Sequence, residues 1–155
     1  MGLGSNTGDR RAVLEAALRE LSPLFDGFRV ASFYETAPLY VLDQGSFLNS
    51  AATGFYTGTP EELLALIQAI EQKHGRDRSK ERRWGERSLD IDILLFGRRI
   101  IHNPPLLEIP HPRLNERAFA LVPLLELAPK LQDPRNGLSF SGYLPRLQNQ
   151  SVIQY

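Results

Sequence analysis

Asp90 and Asp92 interrupt an otherwise apolar stretch, LDIDILLF, at residues 89–96. In an extended chain alternate side chains share a face, so both carboxylates point one way and Ile91 and Ile93 the other. Their Cα atoms then stand about 6.6 Å apart. Two hard-oxygen ligands at that spacing suit one Mg²⁺, or two ions set against a polyphosphate. The plainer alternative is a water-facing pair that discourages edge pairing. Just upstream, between His74 and Arg87, come Arg76, Arg78, Lys80, Arg82, Arg83 and Arg87, opposed only by Asp77, Glu81 and Glu86. Arginine offers a planar donor fork for phosphate and keeps its charge near neutral pH. A solvated loop pairing with its own acids explains the arginines alone, but not the acidic pair that follows them. Trp84, the single tryptophan, either pins this loop to the core or covers a flat ring and excludes water.

Other polar residues carry weaker signals. Asn49 lies in the strand-like segment FLNSAATGFYT, where its amide either reads donor and acceptor positions on a ligand or serves a neighbouring loop. His111 stands between Pro110 and Pro112 with Arg117 six residues on, a pair able to contact phosphate, though a turn histidine and a surface arginine are the default. The three histidines have no zinc-motif spacing, and neither Ser5 nor Ser88 lies in a nucleophile elbow. The opening GLGSNTG fails both the dinucleotide and the Walker pattern, so it reads as a glycine-rich turn leading into a helix.

The 155 residues suit one compact unit, with 129–155 expected as a variable segment packed on the same domain. Eighteen basic and eighteen acidic side chains balance, so no global field favours nucleic acid or an anionic membrane. With no cysteine there is no disulfide, thiolate ligand or cysteine nucleophile. No apolar run approaches the length of a membrane span and the start lacks a signal core, so a cytoplasmic protein is expected.

The elements that must hold these residues follow from pattern. Thr7 or Asp9 caps a first helix with Val13, Leu14, Ala17, Leu18 and Leu21 on its apolar face. Strands are expected at 28–34, 47–57 and 89–96, with Gly54 marking a bulge or close backbone approach. Thr59 and Pro60 open a second helix with Leu63, Leu64, Leu66, Ile67 and Ile70 inward, ended by Gly75. A short extended piece surrounds Ile100, and a helix over 115–127 should kink or divide at Pro123. The order predicts an α+β split βαβ arrangement: a mainly antiparallel sheet with helices on one face.

Together GLGSN, FLN, RRWGERSLDIDILLF and PHPRLNERAF resemble the 6-hydroxymethyl-7,8-dihydropterin pyrophosphokinase family over residues 2 to about 128. Arg83, Trp84, Gly85, Arg87, Leu89, Asp90 and Asp92 carry most of that specificity. The resemblance implies a ferredoxin-like fold and transfer of the terminal pyrophosphoryl group of ATP to the pterin hydroxymethyl group, giving AMP. It implies catalytic roles for Arg76, Arg83, Arg87, Asp90 and Asp92, the two acids holding two Mg²⁺ ions with ATP. Gln68, Glu71, Arg78, Trp84, His111 and Arg117 would serve the nucleotide, with Arg83 and Trp84 closing the complex. Ala37, Pro38, Phe47, Asn49, Trp84 and Phe119 would form the pterin site, Phe47 and Phe119 stacking on the ring and Asn49 bonding its edge. The chain departs from the family where Ala37 replaces threonine, Pro112 replaces an aromatic, only Met1 precedes GLGSN, and Arg82 and Arg83 compete for one role. Small-molecule substrates without nucleic acid or membrane partners, and a monomer, are expected. An RNA-binding module would lack a use for the acids, and a phosphohydrolase would lack a use for the aromatic and amide features.

Overall fold

The computed structural model of the chain describes residues 1–39, 43–76 and 87–155. Its first element corrects the sequence reading: Gly2–Ser5 is a strand, β1, not part of a turn. Pairing decides this, because β1 lies between two partners, with Gly4 opposite both Asn49 and Asp90. The turn comes one step later at residues 6–9, where Gly8 takes a φ of 62°. Asp9 caps helix α1 (Arg10–Leu21) by accepting from the Ala12 amide at 3.0 Å. Leu14, Ala17, Leu18 and Leu21 are buried along it, as its period requires.

The strand expected at 28–34 is two strands, β2 (Asp26–Val30) and β3 (Tyr34–Thr36), both paired with β4 (Phe47–Phe55). Val30 opposes Ala52 and Tyr34 opposes Asn49, so four steps on one side match three on the other. The extra residue breaks the ladder. Gly54 is a close approach, since a Cβ there would stand 2.7 Å from that of Phe25. Helix α2 (Pro60–Lys73) opens with the full reciprocal cap between Thr59 and Glu62, and Gly75 follows its end at a φ of 86°. Leu63, Ile67 and Ile70 face inward, whereas Leu66, expected with them, is exposed.

The strand expected at 89–96 shortens to β5 (Asp90–Asp92), because β1 offers it only Gly2 to Gly4 as partners. β6 (Ile101–Asn103) and β7 (Leu107–Ile109) form a separate ribbon. After a 3₁₀ turn at Leu114–Glu116, helix α3 (Ala118–Leu127) runs through Pro123 undivided, and a 3₁₀ segment at Phe140–Leu147 precedes β8 (Val152–Gln154). The main sheet has the order β5-β1-β4-β3-β8, with β2 also on β4 and these pairings antiparallel. It is an α+β fold.

Alternation along the strands sorts the two faces. Leu3, Leu48, Ala52 and Ile91 meet α1 and α2 in one core. The other face carries Gly2, Gly4, Phe47, Asn49, Ala51, Asp90 and Asp92 by register. There Ala51 packs with Leu94, Leu121, Leu124 and Phe140. Helix α3 thus lies opposite the first two helices, not on their face as the sequence pattern suggested. The sheet face it leaves uncovered, beyond Ala51, is the floor of a groove.

Candidate active site

Two glycines make that floor low. Gly2 lies opposite Asp92 and Gly4 opposite Asp90, so the carboxylates of β5 stand beside strand positions without side chains. The groove, about 760 Å³, is lined by Asp90, Asp92, Phe47, Asn49, Arg87, Arg117 and Phe119 together with Thr36, Ala37 and Gln44. The two acids therefore share one face, as their spacing predicted, and line one groove with Phe47 and Phe119.

Each acid has its own cationic neighbours. Arg76 and Arg87 both donate to Asp90, the former at 2.5 Å to Oδ1 and the latter to Oδ2. Burial alone would raise the Asp90 carboxyl, but Arg87 and Arg76 outweigh it and hold it below the ordinary value. Asp92 sits 3.4 Å from Arg117 Nη1 and 3.9 Å from His111 Nε2. Burial, then the Asp90 charge beside it, push Asp92 up to about 6 against the opposing pull of Arg117. His111 is pushed down to about 4, first by burial and then by Arg117. The neutral ring accepts from the Arg113 amide through Nδ1 at 3.2 Å, which leaves the proton on Nε2, the atom facing Asp92 and Arg117.

Asn49, 4% exposed, donates from Nδ2 to Thr36 Oγ1 at 2.8 Å. Its Oδ1 lies over Gly4, where a Cβ would stand only 2.9 Å away. Phe119 lies under the Arg117 guanidinium, 5.6 Å from ring centroid to Cζ. Such a stack fixes both side chains.

The family described as 7,8-dihydro-6-hydroxymethylpterin-pyrophosphokinase (HPPK) matches residues 1–129. The chain belongs to this family. It is 43% identical over 134 residues to the 2-amino-4-hydroxy-6-hydroxymethyldihydropteridine pyrophosphokinase of Bacillus subtilis, covering 85% of this chain and 78% of that one. The protein of the same name from Pseudomonas aeruginosa is 41% identical over 136 residues, 86% of this chain and 82% of its own. The folic acid synthesis protein fol1 of Pneumocystis carinii is 36% identical over 155 residues, 98% of this chain but a fifth, 20%, of that longer protein.

Within this HPPK chain, Glu71 aside, the expected site residues divide into three groups. Arg87, Asp90, Asp92, Arg117, Ala37, Phe47, Asn49 and Phe119 line the groove, with Arg76 and His111 in contact with its acids. Gln68 is half-buried on α2 and Pro38 lines an adjoining pocket, so neither is among the groove's described lining residues. Arg78, Arg83 and Trp84 lie outside the described residues, as does Arg82.

Glu71 works from behind. It is 1% exposed, its Oε1 accepts from the Ile91 amide at 2.8 Å, and Arg76 donates to the same oxygen. It therefore fixes the middle residue of β5 from the core side, between the two acids. The resemblance gave Glu71 to the nucleotide, and its place four residues after Ile67 sets it on the buried stripe of α2. Asn6, which the sequence reading did not single out, has a similar supporting place. Its Oδ1 accepts from the Arg87 amide at 2.7 Å and its Nδ2 donates to Gln44 at 3.1 Å, tying Arg87 to the end of β1. Nothing in the sequence spacing reveals that 81-residue link.

Proposed function

We propose that this groove performs pyrophosphoryl transfer from ATP to the hydroxymethyl group of 6-hydroxymethyl-7,8-dihydropterin. The hydroxymethyl oxygen attacks the β-phosphorus of ATP, the bond from that phosphorus to the α–β bridging oxygen breaks, and AMP leaves with the electron pair. One observation carries the reading: both acids, both aromatic rings, Asn49 and two arginines line one groove on one sheet face.

Phe47 and Phe119 hold the flat pterin between them, and Asn49 bonds its edge while Thr36 fixes the amide. Ala37 offers only backbone there, with Pro38 bordering the slot. The donor set fits Mg²⁺: two carboxylates, no cysteine in the chain, and no cluster of three or more His, Cys, Asp or Glu among the described residues. Mg²⁺ commonly takes one or two protein carboxylates and fills its shell with water and phosphate. Bound by Asp90 and Asp92 together with ATP, Mg²⁺ would orient the triphosphate and offset the charge that develops during transfer. Arg76 and Arg87 pair with Asp90, so an arriving triphosphate gives both guanidiniums an alternative anion close at hand. Arg117 and the Nε2 proton of His111 are donors on the Asp92 side. Holding alcohol and phosphorus in line supplies the orientation a bimolecular reaction lacks.

Arg78, Arg83 and Trp84 are assigned the closing of this complex against water, and Gln68 a nucleotide contact, on the family resemblance. The strand order, with β1 between β5 and β4, α1 leading from β1 to β2 and α2 from β4 to β5, supports a ferredoxin-like split βαβ plan. Residues 1–155 are read as one domain, because β8 pairs with β3 and Phe140 is buried beside α3. Among the described residues no helix is long and apolar enough to cross a membrane.

Product analysis tests the reading. With ATP, Mg²⁺ and 6-hydroxymethyl-7,8-dihydropterin, AMP and pterin pyrophosphate should form in equal amounts. ADP, or free pyrophosphate as the main product, would refute it.

A further inference from the structure

The last turn of the chain reaches back to the groove at one point. Helix α3 begins without a side-chain cap of its own, since Arg117 occupies the N-cap position and turns its side chain toward Asp92. The cap comes from 32 residues away: Gln150 Oε1 accepts from the Ala118 amide at 2.9 Å. The same side chain donates from Nε2 to the Glu116 carbonyl at 2.8 Å. The two bonds fall on either side of Arg117, so one amide clamps the backbone of that residue as a neighbouring strand would. Phe119 follows two positions on and lies under the Arg117 guanidinium.

The clamp is itself anchored. The Gln150 amide donates to the Leu147 carbonyl at 2.9 Å, and two residues later Val152 pairs with Thr36 on β3. Gln150 and Val152 share a pocket with Thr36, Ala37 and Phe119, so the segment backs the Phe119 side of the pterin slot. Residues 130–155 lie beyond the stretch matched by the family.

We infer that Gln150 is a positioning residue for pterin binding, acting through Arg117 and Phe119 by clamping the first turn of α3. The inference rests on the pterin slot proposed above. It is tested by calorimetric binding of 6-hydroxymethyl-7,8-dihydropterin to the full chain without ATP. Gln150→Ala should weaken binding about tenfold, the scale of a lost helix cap, with an unchanged far-UV spectrum. Gln150→Glu keeps the acceptor for Ala118 but not the donor for Glu116, and should recover part of the loss. In a Phe119→Ala background the Gln150→Ala penalty should fall below about twofold, because the residue it positions is gone. Wild-type affinity in Gln150→Ala, or a full penalty persisting beside Phe119→Ala, overturns the inference while leaving the pterin slot intact. A wild-type chain that binds no pterin overturns the slot, and this inference with it.

Discussion

Gly4→Ala is the smallest perturbation that reaches the centre of the site. The new methyl would meet Asn49 Oδ1 at 2.9 Å, closer than carbon and oxygen pack without hydrogen bonding. Gly4 does not use the left-handed region, so the backbone accepts alanine and the strain falls on the amide. Asn49 cannot retreat without releasing Thr36 Oγ1, its partner at 2.8 Å, because the residue is 4% exposed. A neutral hydrogen bond is worth about 1 kcal/mol net. The Thr36 bond is lost from free and bound protein alike, so it lowers Tm by about 2–4 °C without entering the affinity. Losing the pterin-edge bond costs about 1 kcal/mol in binding, or about fivefold in Kd. Titration calorimetry with 6-hydroxymethyl-7,8-dihydropterin and a thermal melt read the two effects separately. Gly142→Ala is the control, since no atom lies within 4 Å of its Cβ position. Pterin affinity within twofold of wild type in Gly4→Ala would refute the placement of Asn49 at the pterin edge.

Glu71→Ala removes the buried partner of Arg76 and the acceptor of the Ile91 amide; it should cost about 3–5 kcal/mol and lower Tm by about 10 °C, with Glu71→Gln losing less. A wild-type melt in Glu71→Ala would contradict the role given to it. Asp92→Asn should cut turnover by at least about 100-fold at saturating Mg²⁺ while pterin affinity stays within a few-fold, and near-normal turnover would refute its metal role. His111 and Asp92 give opposite pH linkages across 3.9 Å. His111 titrates at about 4 instead of 6.5, so its stabilisation is complete above pH 6.5 and lost as pH falls through that window. Asp92 titrates at about 6 instead of 3.8, so its stabilisation is complete below pH 3.8 and lost as pH rises through 6. Relative to wild type, His111→Gln should gain stability on acidification from pH 6.5 to 4 and Asp92→Asn should lose it; denaturant titrations with no difference in slope would contradict both shifts.

Local rules made much of this legible. The period of two put Asp90 and Asp92 on one face, Thr59 and Pro60 fixed the start of α2, and the choice of Thr7 or Asp9 fixed that of α1 to within two residues. Gly2 and Gly4 misled because glycine in isolation signals a turn, whereas here its missing side chain clears a groove floor between two paired strands. The break between β2 and β3 depends on a count of residues against β4, which no property of 28–34 encodes. Helix α3 took the opposite face because its surface is apolar nearly all round, so its period does not name a partner. Gln150 was invisible for the same reason as Asn6: its bonds depend on where distant backbone groups end up.

In the proposed function the two acids of β5 hold the metal against the triphosphate, in the groove that holds the pterin. Anomalous diffraction from a complex with Mn²⁺, a non-transferable ATP analogue and the pterin tests it directly. Mn²⁺ should lie within about 2.2 Å of carboxylate oxygens from both Asp90 and Asp92, with the pterin between Phe47 and Phe119. Mn²⁺ held by phosphate alone, or by acids outside this groove, would contradict it.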